Sequence, residues 1–279
     1  MGLIVYSDYI LFVITLLVLI LASMMDFKKR EVYDFFSGSL ILLGLMIRIY
    51  TSILELNFRY TYIPLLYFIV VFIITYILYR FGQWGGGDSK ILLGFTISSS
   101  YLPTLFSHFN FMISFSPFIQ FILLTLIIGM IYTVIWMLGV FILNIKEGLK
   151  LFYQEIKKEY NIFFITLLIV FLFFIENNLF LYYYIILVSL FLLINVGLVV
   201  ESNFMNKLIK SKYLREGDWI METIKDDKQI IYKPKKSGID LESINKIKDY
   251  NPNLLVKIKL GVPFVPVFLL SYLFMIFVM

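Results

Sequence analysis

Long apolar stretches alternate with short polar loops along the whole chain. Eight apolar segments can be drawn, at 9–25, 35–54, 60–79, 91–106, 118–143, 161–175, 179–199 and 260–278. A membrane-spanning helix needs about 20 predominantly apolar residues, and two of the segments, 91–106 and 161–175, are short by that measure. The pattern predicts an all-α polytopic membrane protein with about eight, in a range of six to eight, transmembrane helices.

Basic residues are concentrated in alternate loops, which predicts the orientation of the chain. If the N-terminus lies outside, 22 of the 24 Lys and Arg residues fall in cytoplasmic loops. These loops are 26–34, 80–90, 144–160 and 200–259. Cytoplasmic loops of membrane proteins carry such an excess, so we expect the N-terminus outside. Arg48 lies within the second apolar segment, and we expect it to snorkel to the outer interface.

Residues 201–259 form the sizeable polar region of the sequence, and they predict a small cytoplasmic α+β segment. Residues 218–223 and 229–233 are typical of a short hairpin, and Asp240 is placed to cap a helix. The predicted organisation is a membrane-embedded core at 1–200, in which 161–199 is an additional hairpin, then this segment, then a C-terminal transmembrane helix at 260–279. The net positive charge of 201–259 favours contact with anionic lipid.

The composition removes several classes of chemistry. The chain has no cysteine and one histidine, which excludes disulfides, thiolate nucleophiles, Cys-based metal sites, His-cluster metal sites and Ser–His catalysis within one chain. Any hydrolysis must therefore use carboxylates, lysine or hydroxyls, and we expect neither a metal nor a cofactor. Loop topology accounts for the net charge of +5, so nucleic acid is not an expected partner.

Asp26 stands at the end of the first apolar segment. It is expected at the C-terminus of a helix, where the helix dipole disfavours an anion. One interpretation is a loop acid paired with Lys28, Lys29 or Arg30. The other is a carboxyl group held at the membrane edge for chemistry. The residues alone leave both open.

Asp88 ends a run of three glycines, Gly85, Gly86 and Gly87, just before the fourth apolar segment. A simple interpretation makes it the N-cap of the next helix. That interpretation leaves the glycines unexplained, because bare backbone at membrane depth is tolerated where it lines a cavity or meets a partner. An extended peptide that pairs with this backbone would be such a partner. Asp34, before the second segment, is expected to cap the second helix.

Two carboxyl groups that face each other in a site of low dielectric share one proton, because both cannot ionise easily. The ionised carboxyl group takes a proton from water, and the neutral one donates a proton to the substrate carbonyl. This chemistry needs no metal, cysteine or histidine. The residue inventory of the chain permits it.

Two motifs resemble those of a known family. Residues 26–34, Asp-Phe-Lys-Lys-Arg-Glu-Val-Tyr-Asp, look like the first aspartate motif of the archaeal preflagellin and type IV prepilin peptidases. Residues 85–90, Gly-Gly-Gly-Asp-Ser-Lys, resemble their Gly-x-Gly-Asp motif. These enzymes are membrane aspartyl proteases. Residues 261–266, with their two prolines, are also similar to a segment of the archaeal members.

The resemblance implies a catalytic pair, Asp26 and Asp88. Gly85, Gly86 and Gly87 are the expected substrate-binding residues, because their backbone can pair with an extended peptide, and Lys28, Arg30 and Lys90 are candidate supporting residues. The implied substrates are pilin-like or archaellin precursors, from which a short basic leader is removed at the cytoplasmic face of the plasma membrane.

The sequence departs from the family pattern in two respects. The additional hairpin at 161–199 exceeds the six spans of compact members and favours the longer prepilin branch. The four-cysteine zinc segment of the bacterial relatives is absent, so nothing supports an accompanying methyltransferase activity. Two other functions remain open: a transporter or proton-coupled carrier whose acids bind a cation, and a non-catalytic assembly factor for a surface filament.

Overall fold

Helices dominate the computed structural model, which describes residues 2–82, 84–101, 117–172, 178–225, 230–235 and 238–277. The α-helices of this part are α1 (Gly2–Lys29), α2 (Asp34–Leu54), α3 (Arg59–Arg80), α4 (Gly86–Ser99), α5 (Pro117–Leu143), α6 (Ile145–Ile156), α7 (Glu159–Leu172), α8 (Asn178–Val199), α9 (Leu241–Tyr250) and α10 (Val265–Phe277). The strands are β1 (Asn206–Lys210), β2 (Trp219–Ile220), β3 (Ile224–Lys225), β4 (Ile230–Tyr232) and β5 (Leu255–Lys259).

Five described helices are long and apolar enough to cross a membrane, and they are α1, α2, α3, α5 and α8. This confirms the polytopic helical class. Three of the predicted segments, 91–106, 161–175 and 260–278, correspond to the shorter helices α4, α7 and α10. Parts of these segments, such as 102–106, lie outside the described residues. A count of six to eight spans and an outside N-terminus therefore stay predictions.

The chain divides into two compact units, Met1–Met130 with Leu208–Met279, and Ile131–Lys207. The core of the first unit is built by α1, α3, α4, α5 and α10. Its buried side chains include Leu19, Ala22, Ile91, Phe95, Phe121, Phe268 and Tyr272. In the second unit, Phe141 packs with Val199 and Val200. There the buried Asn161 donates from Nδ2 to Asn195 Oδ1 at 2.7 Å, which joins α7 to α8.

Two glycines bring α2 and α4 into close contact. A Cβ at Gly94 would lie 2.9 Å from Leu40 Cβ and 3.0 Å from the Ser37 carbonyl oxygen. A Cβ at Gly44 would lie 3.2 Å from Ser98 Cα. A side chain at either glycine would push the two helices apart. Because glycine has no side chain, the backbones of α2 and α4 can approach each other closely. The position of α4 is therefore closely tied to that of α2.

The small α+β segment is confirmed, with one correction to its strands. β3 pairs with β4 as an antiparallel hairpin, but Trp219 and Ile220 of the predicted first strand pair with β5 in a separate sheet of order β1-β5-β2. Asp240 caps α9, because its Oδ1 accepts the Ser243 N–H at 2.8 Å. Ile244 and Ile247 of α9 are buried in the core of the segment.

The prediction for Arg48 is wrong. Its side chain does not snorkel to an interface: the residue is fully buried, and Nη1 lies 3.4 Å from Oδ1 of the equally buried Asp8. Snorkelling applies to a cation that faces lipid. Arg48 instead faces the helices around it, where an acid on α1 provides a partner.

Candidate active site

Asp26 lies on the buried face of α1 and meets the start of α10. Asp26 is 7% exposed, and its Oδ2 accepts a hydrogen bond from the backbone N–H of Val265 at 3.0 Å. Val265 is the first residue of α10, and the first N–H groups of a helix have no partner within that helix. The positive end of the α10 dipole therefore favours an anion at Asp26 and opposes the unfavourable end of the α1 dipole.

Asp88 is the third residue of α4 and not its N-cap. The N-cap is Gly85, whose backbone is extended at φ −70° and ψ 148°. The Gly85 N–H donates to the Asp88 carboxylate. This is the reach-back contact of a capping box, in which an acid at the third position bonds the N-cap N–H. The N-cap interpretation of Asp88 is therefore wrong by three positions, because the helix begins among the glycines.

The three glycines differ in what they meet. A Cβ at Gly85 would lie 2.8 Å from Asp88 Oδ2, which is closer than real Cβ atoms approach. A Cβ at Gly86 would meet Tyr79 Cε2 at 3.6 Å, and one at Gly87 would meet Val32 Cβ at 3.4 Å, both ordinary contacts. Asp88 can therefore fold back over residue 85 because that residue has no side chain.

The predicted extended edge is confined to Gly85. Gly86 and Gly87 are helical residues in the first turn of α4. Backbone along all three glycines thus cannot pair with a substrate in the manner of a β-strand while this turn is formed. What the first turn presents is a set of N–H groups without partners in their own helix, which are donors for a carbonyl oxygen.

The site brings the two acids together electrostatically. Asp88 is partly buried, and burial is the main cause that raises the pKa of its carboxyl group well above the usual value. The negative charge of Asp26 is the second cause that raises the Asp88 pKa. The carboxyl groups on α1 and α4 are therefore within electrostatic reach of each other. A raised pKa favours the protonated form of the Asp88 carboxyl group.

The three predicted supporting residues have different surroundings. Arg30 follows the last residue of α1 in the left-handed conformation, at φ 54°, and its Nη1 donates to the Gly261 carbonyl oxygen at 2.5 Å. Lys90 Nζ lies 2.5 Å from Asp34 Oδ1 on the surface, and Lys28 is exposed. Arg30 is the one of these three that joins the Asp26 turn to the segment before α10.

Asp34 does not cap α2 as predicted. The N-cap is Tyr33, without a side-chain capping bond, and Asp34 is the first helical residue. As an exposed acid in the first turn it still interacts favourably with the helix dipole. Its carboxylate pairs with Lys90 of α4, so this third acid of the motif is a surface group.

Two features of the site were missed from the sequence. One is the α10 N–H that Asp26 accepts, although the two prolines of 261–266 mark the start of a helix and were a usable signal. The other is a contact between the small segment and the loop after Asp26, where Arg215 pairs with Glu31. The Arg215 N–H also donates to Asp218 Oδ2 at 2.8 Å. No sequence pattern signals these pairs.

Metal coordination has no obvious place here. Among the residues that the structure describes, no three His, Cys, Asp or Glu side chains come together as a metal ion would need. Asp26 and Asp88 by themselves would offer a metal ion two carboxylate ligands.

Comparisons with known proteins agree on one family. The family model described as the type IV leader peptidase family matches residues 13–138. The chain is 30% identical to a preflagellin peptidase of Methanococcus voltae over 142 residues, and this aligned stretch covers 50% of this chain and 60% of that protein. It is 25% identical over 155 residues to a preflagellin peptidase of Methanocaldococcus jannaschii, which covers 55% of this chain and 64% of that protein.

A third preflagellin peptidase, of Methanococcus maripaludis, is 36% identical over 83 residues, or 30% of this chain and 36% of that protein. The chain thus spans less than two thirds of the length of each of these relatives. The additional hairpin at 161–199 favoured the prepilin branch, but these three relatives are all named preflagellin peptidases and do not support that branch. No solved structure matches the chain. Residues 13–138, which carry both Asp26 and Asp88, are thus similar to the type IV leader peptidase family.

Proposed function

We propose that this protein is an aspartyl endopeptidase that removes the short basic leader from archaellin or type IV pilin-like precursors. Asp26 and Asp88 are the catalytic pair of this proposal. The observation that carries it is the joint placement of the two acids, with Asp26 accepting the Val265 N–H and Asp88 under the influence of the Asp26 charge. The family and the preflagellin peptidase relatives support the reaction class.

The surroundings of the two acids suggest different roles for them. Asp26 of α1 lies beside the N-terminus of α10 and is the ionised carboxylate. It takes a proton from water as the water oxygen attacks the scissile carbonyl carbon. Asp88, whose pKa is raised, gives its proton to the carbonyl oxygen. As the tetrahedral intermediate collapses, the proton on Asp26 moves to the leaving amine, the C–N bond breaks, and Asp88 recovers its proton.

The proposed location of this site is the cytoplasmic face of the cell membrane. Support comes from the excess of Lys and Arg in the loops that hold Asp26 and Asp88. A precursor whose apolar helix begins directly after its leader would present the scissile bond at the same depth. The N–H groups of Gly86 and Gly87, in the first turn of α4, have no partner within that helix and are suitable donors for its backbone carbonyls.

Residues 201–259 have a separate role in the proposal. Their basic surface repels a basic leader, so we propose that they contact anionic lipid beside the membrane core. A variant that lacks 201–259 and still binds anionic liposomes as tightly as the full chain would contradict this role.

Co-expression with a candidate precursor tests the reaction. We expect Asp26→Asn and Asp88→Asn each to abolish the mass shift that leader removal produces. Asp34→Asn is the matched control, because it removes an exposed acid of the same motif, and we expect it to leave processing intact. Processing by both Asp26→Asn and Asp88→Asn variants would overturn the proposal.

The comparisons do not favour the two other functions. A cation carrier would show flux in proteoliposomes that Asp88→Asn abolishes. A non-catalytic assembly factor would support filament formation equally well with Asp26→Asn and Asp88→Asn.

A further inference from the structure

A buried ion pair joins α1 to α2 far from the two catalytic acids. Arg48 and Asp8 are both fully buried, and Arg48 Nη1 lies 3.4 Å from Asp8 Oδ1. Both belong to helices that can span the membrane, where charged groups are costly and commonly mark functional positions. Neither residue takes part in the proposed chemistry.

Arg48 also bonds the far end of α4. Its Nη2 donates to the Ser98 carbonyl oxygen at 2.8 Å, in the last turn of α4. With 14 residues, α4 is about 21 Å long, whereas the hydrocarbon core of a bilayer is about 30 Å thick. The last carbonyls of α4 therefore end where water is scarce and must find partners in the protein. The guanidinium supplies such a donor, and its charge suits a helix C-terminus.

Hydroxyl groups join α1 to the same end of α4. Thr15 Oγ1 donates to Ser98 Oγ at 2.9 Å, and Ser99 Oγ donates to Thr15 Oγ1 at 3.1 Å. Together with Asp8 and Arg48, these residues tie α1, α2 and the C-terminus of α4 together. We call Asp8, Arg48 and the Ser98 carbonyl the buried clamp.

The clamp connects the two helices that carry the catalytic acids. Thr15 and Asp26 are 11 residues apart on α1, about 16 Å, and Ser98 and Asp88 are 10 residues apart on α4, about 15 Å. α1 and α4 run antiparallel, so contacts at one end set the register at the other. Asp8 and Asp26 are 18 residues apart, which is five full turns, so both lie on one face of α1.

We propose that Arg48 and Asp8 are positioning residues, which fix the register of α4 against α1 and thereby the approach of Asp88 to Asp26. This inference rests on the proposed function of that pair. A slip of one helix along the other by one residue moves its acid by about 1.5 Å, and displacements near 1 Å are enough to cost about a hundredfold in rate. The clamp acts through the helices and does not touch substrate.

Two neutral double variants test the clamp. Asp8→Asn with Arg48→Gln removes both charges but keeps an amide that can donate to the Ser98 carbonyl. Asp8→Asn with Arg48→Met places a side chain of similar size to glutamine at position 48, but this side chain has no hydrogen-bond donor for the Ser98 carbonyl. Because neither leaves one buried charge alone, both avoid the main penalty of breaking the pair. We expect kcat of the Met variant to be at least about tenfold below that of the Gln variant, with KM unchanged.

The control is Asn161→Leu, which removes a buried polar contact between α7 and α8. We expect its kcat to stay within about twofold of the wild-type value. Equal kcat for the Gln and Met variants, at equal yields of folded protein, would overturn the clamp. If the Met variant is not recovered folded, Asp8→Asn with Arg48→Leu decides, because leucine also has no donor for the Ser98 carbonyl. A kcat of this Leu variant equal to that of the Gln variant would then refute the proposal.

A distance measurement separates failure of the clamp from failure of the proposed function. The sequence has no cysteine, so Phe27→Cys on α1 and Lys90→Cys on α4 provide unique, exposed sites for spin labels near the two acids. We expect the distance distribution to broaden or shift in the Met variant and to stay narrow in the Gln variant. This result is independent of whether the wild-type protein cleaves a precursor. Identical distributions would contradict the clamp even where processing is observed.

Discussion

Gly85→Ala is the substitution for which the structure gives the sharpest expectation. The new Cβ would lie 2.8 Å from Asp88 Oδ2, so the carboxylate must retreat by about 0.6 Å to reach ordinary contact distance. The bond from the Gly85 N–H to the Asp88 carboxylate would lengthen at the same time. A displacement of this size at a reacting group costs roughly ten- to a hundredfold in kcat. Global stability should change little, because the extended backbone at Gly85 suits alanine.

Gly86→Ala is the matched control, since its Cβ would meet Tyr79 at an ordinary 3.6 Å. The assay is leader removal from a purified precursor in detergent or liposomes, with kcat and KM measured for both variants and the thermal midpoint as a check of folding. We expect Gly86→Ala to stay within about threefold of the wild-type kcat. The reasoning is refuted if Gly85→Ala keeps a wild-type kcat, or if Gly86→Ala loses as much activity at the same stability.

Three other predictions concern pH, the small segment and its contact with the core. The pKa of Asp88 is raised and its proton is present below that pKa, so kcat should fall on the alkaline side of the pH profile, as pH rises through the Asp88 pKa. Asp88→Glu should shift this alkaline fall in kcat to a different pH. An unshifted fall would argue against the role assigned to Asp88. Ile247→Ala removes a fully buried side chain of α9 and should cost about 2–4 kcal/mol, seen as faster amide exchange in 238–259 but not in α4. Arg215→Ala breaks an exposed ion pair with Glu31 worth less than about 1 kcal/mol, so the thermal midpoint should be nearly unchanged; a large drop would show that this contact is a main support of the segment.

The positions of the two acids were readable from the sequence because each stands at a boundary of an apolar segment. An acid at a membrane edge has few explanations, and the absence of cysteine and the single histidine removed several of them. The helical class and the α9 cap followed from local periodicity and local hydrogen bonding. Each of these inferences depends on residues that are neighbours in sequence.

The missed features depend on residues far apart in sequence. Asp26 and Val265 are 239 positions apart, and no local rule pairs an acid with a backbone N–H at that distance. Arg48 was misjudged because its partner Asp8 lies on another helix, 40 positions earlier. The start of α4 among the glycines was missed because glycine is a poor helix former, and here the bond to Asp88 and the packing around α4 outweigh that preference.

The bond between Asp26 and Val265 has a consequence for the order in which the protein becomes active. The donor is a main-chain N–H, so no side-chain substitution at residue 265 other than proline removes it. During synthesis, both acids leave the ribosome long before residue 265 does. A nascent chain that has formed α1 to α4 therefore still has Asp26 without this donor, at the unfavourable end of the α1 dipole. Packing of α10 against α1 completes the site, so under the proposed function a newly made protein would gain proteolytic competence only at the end of its own assembly.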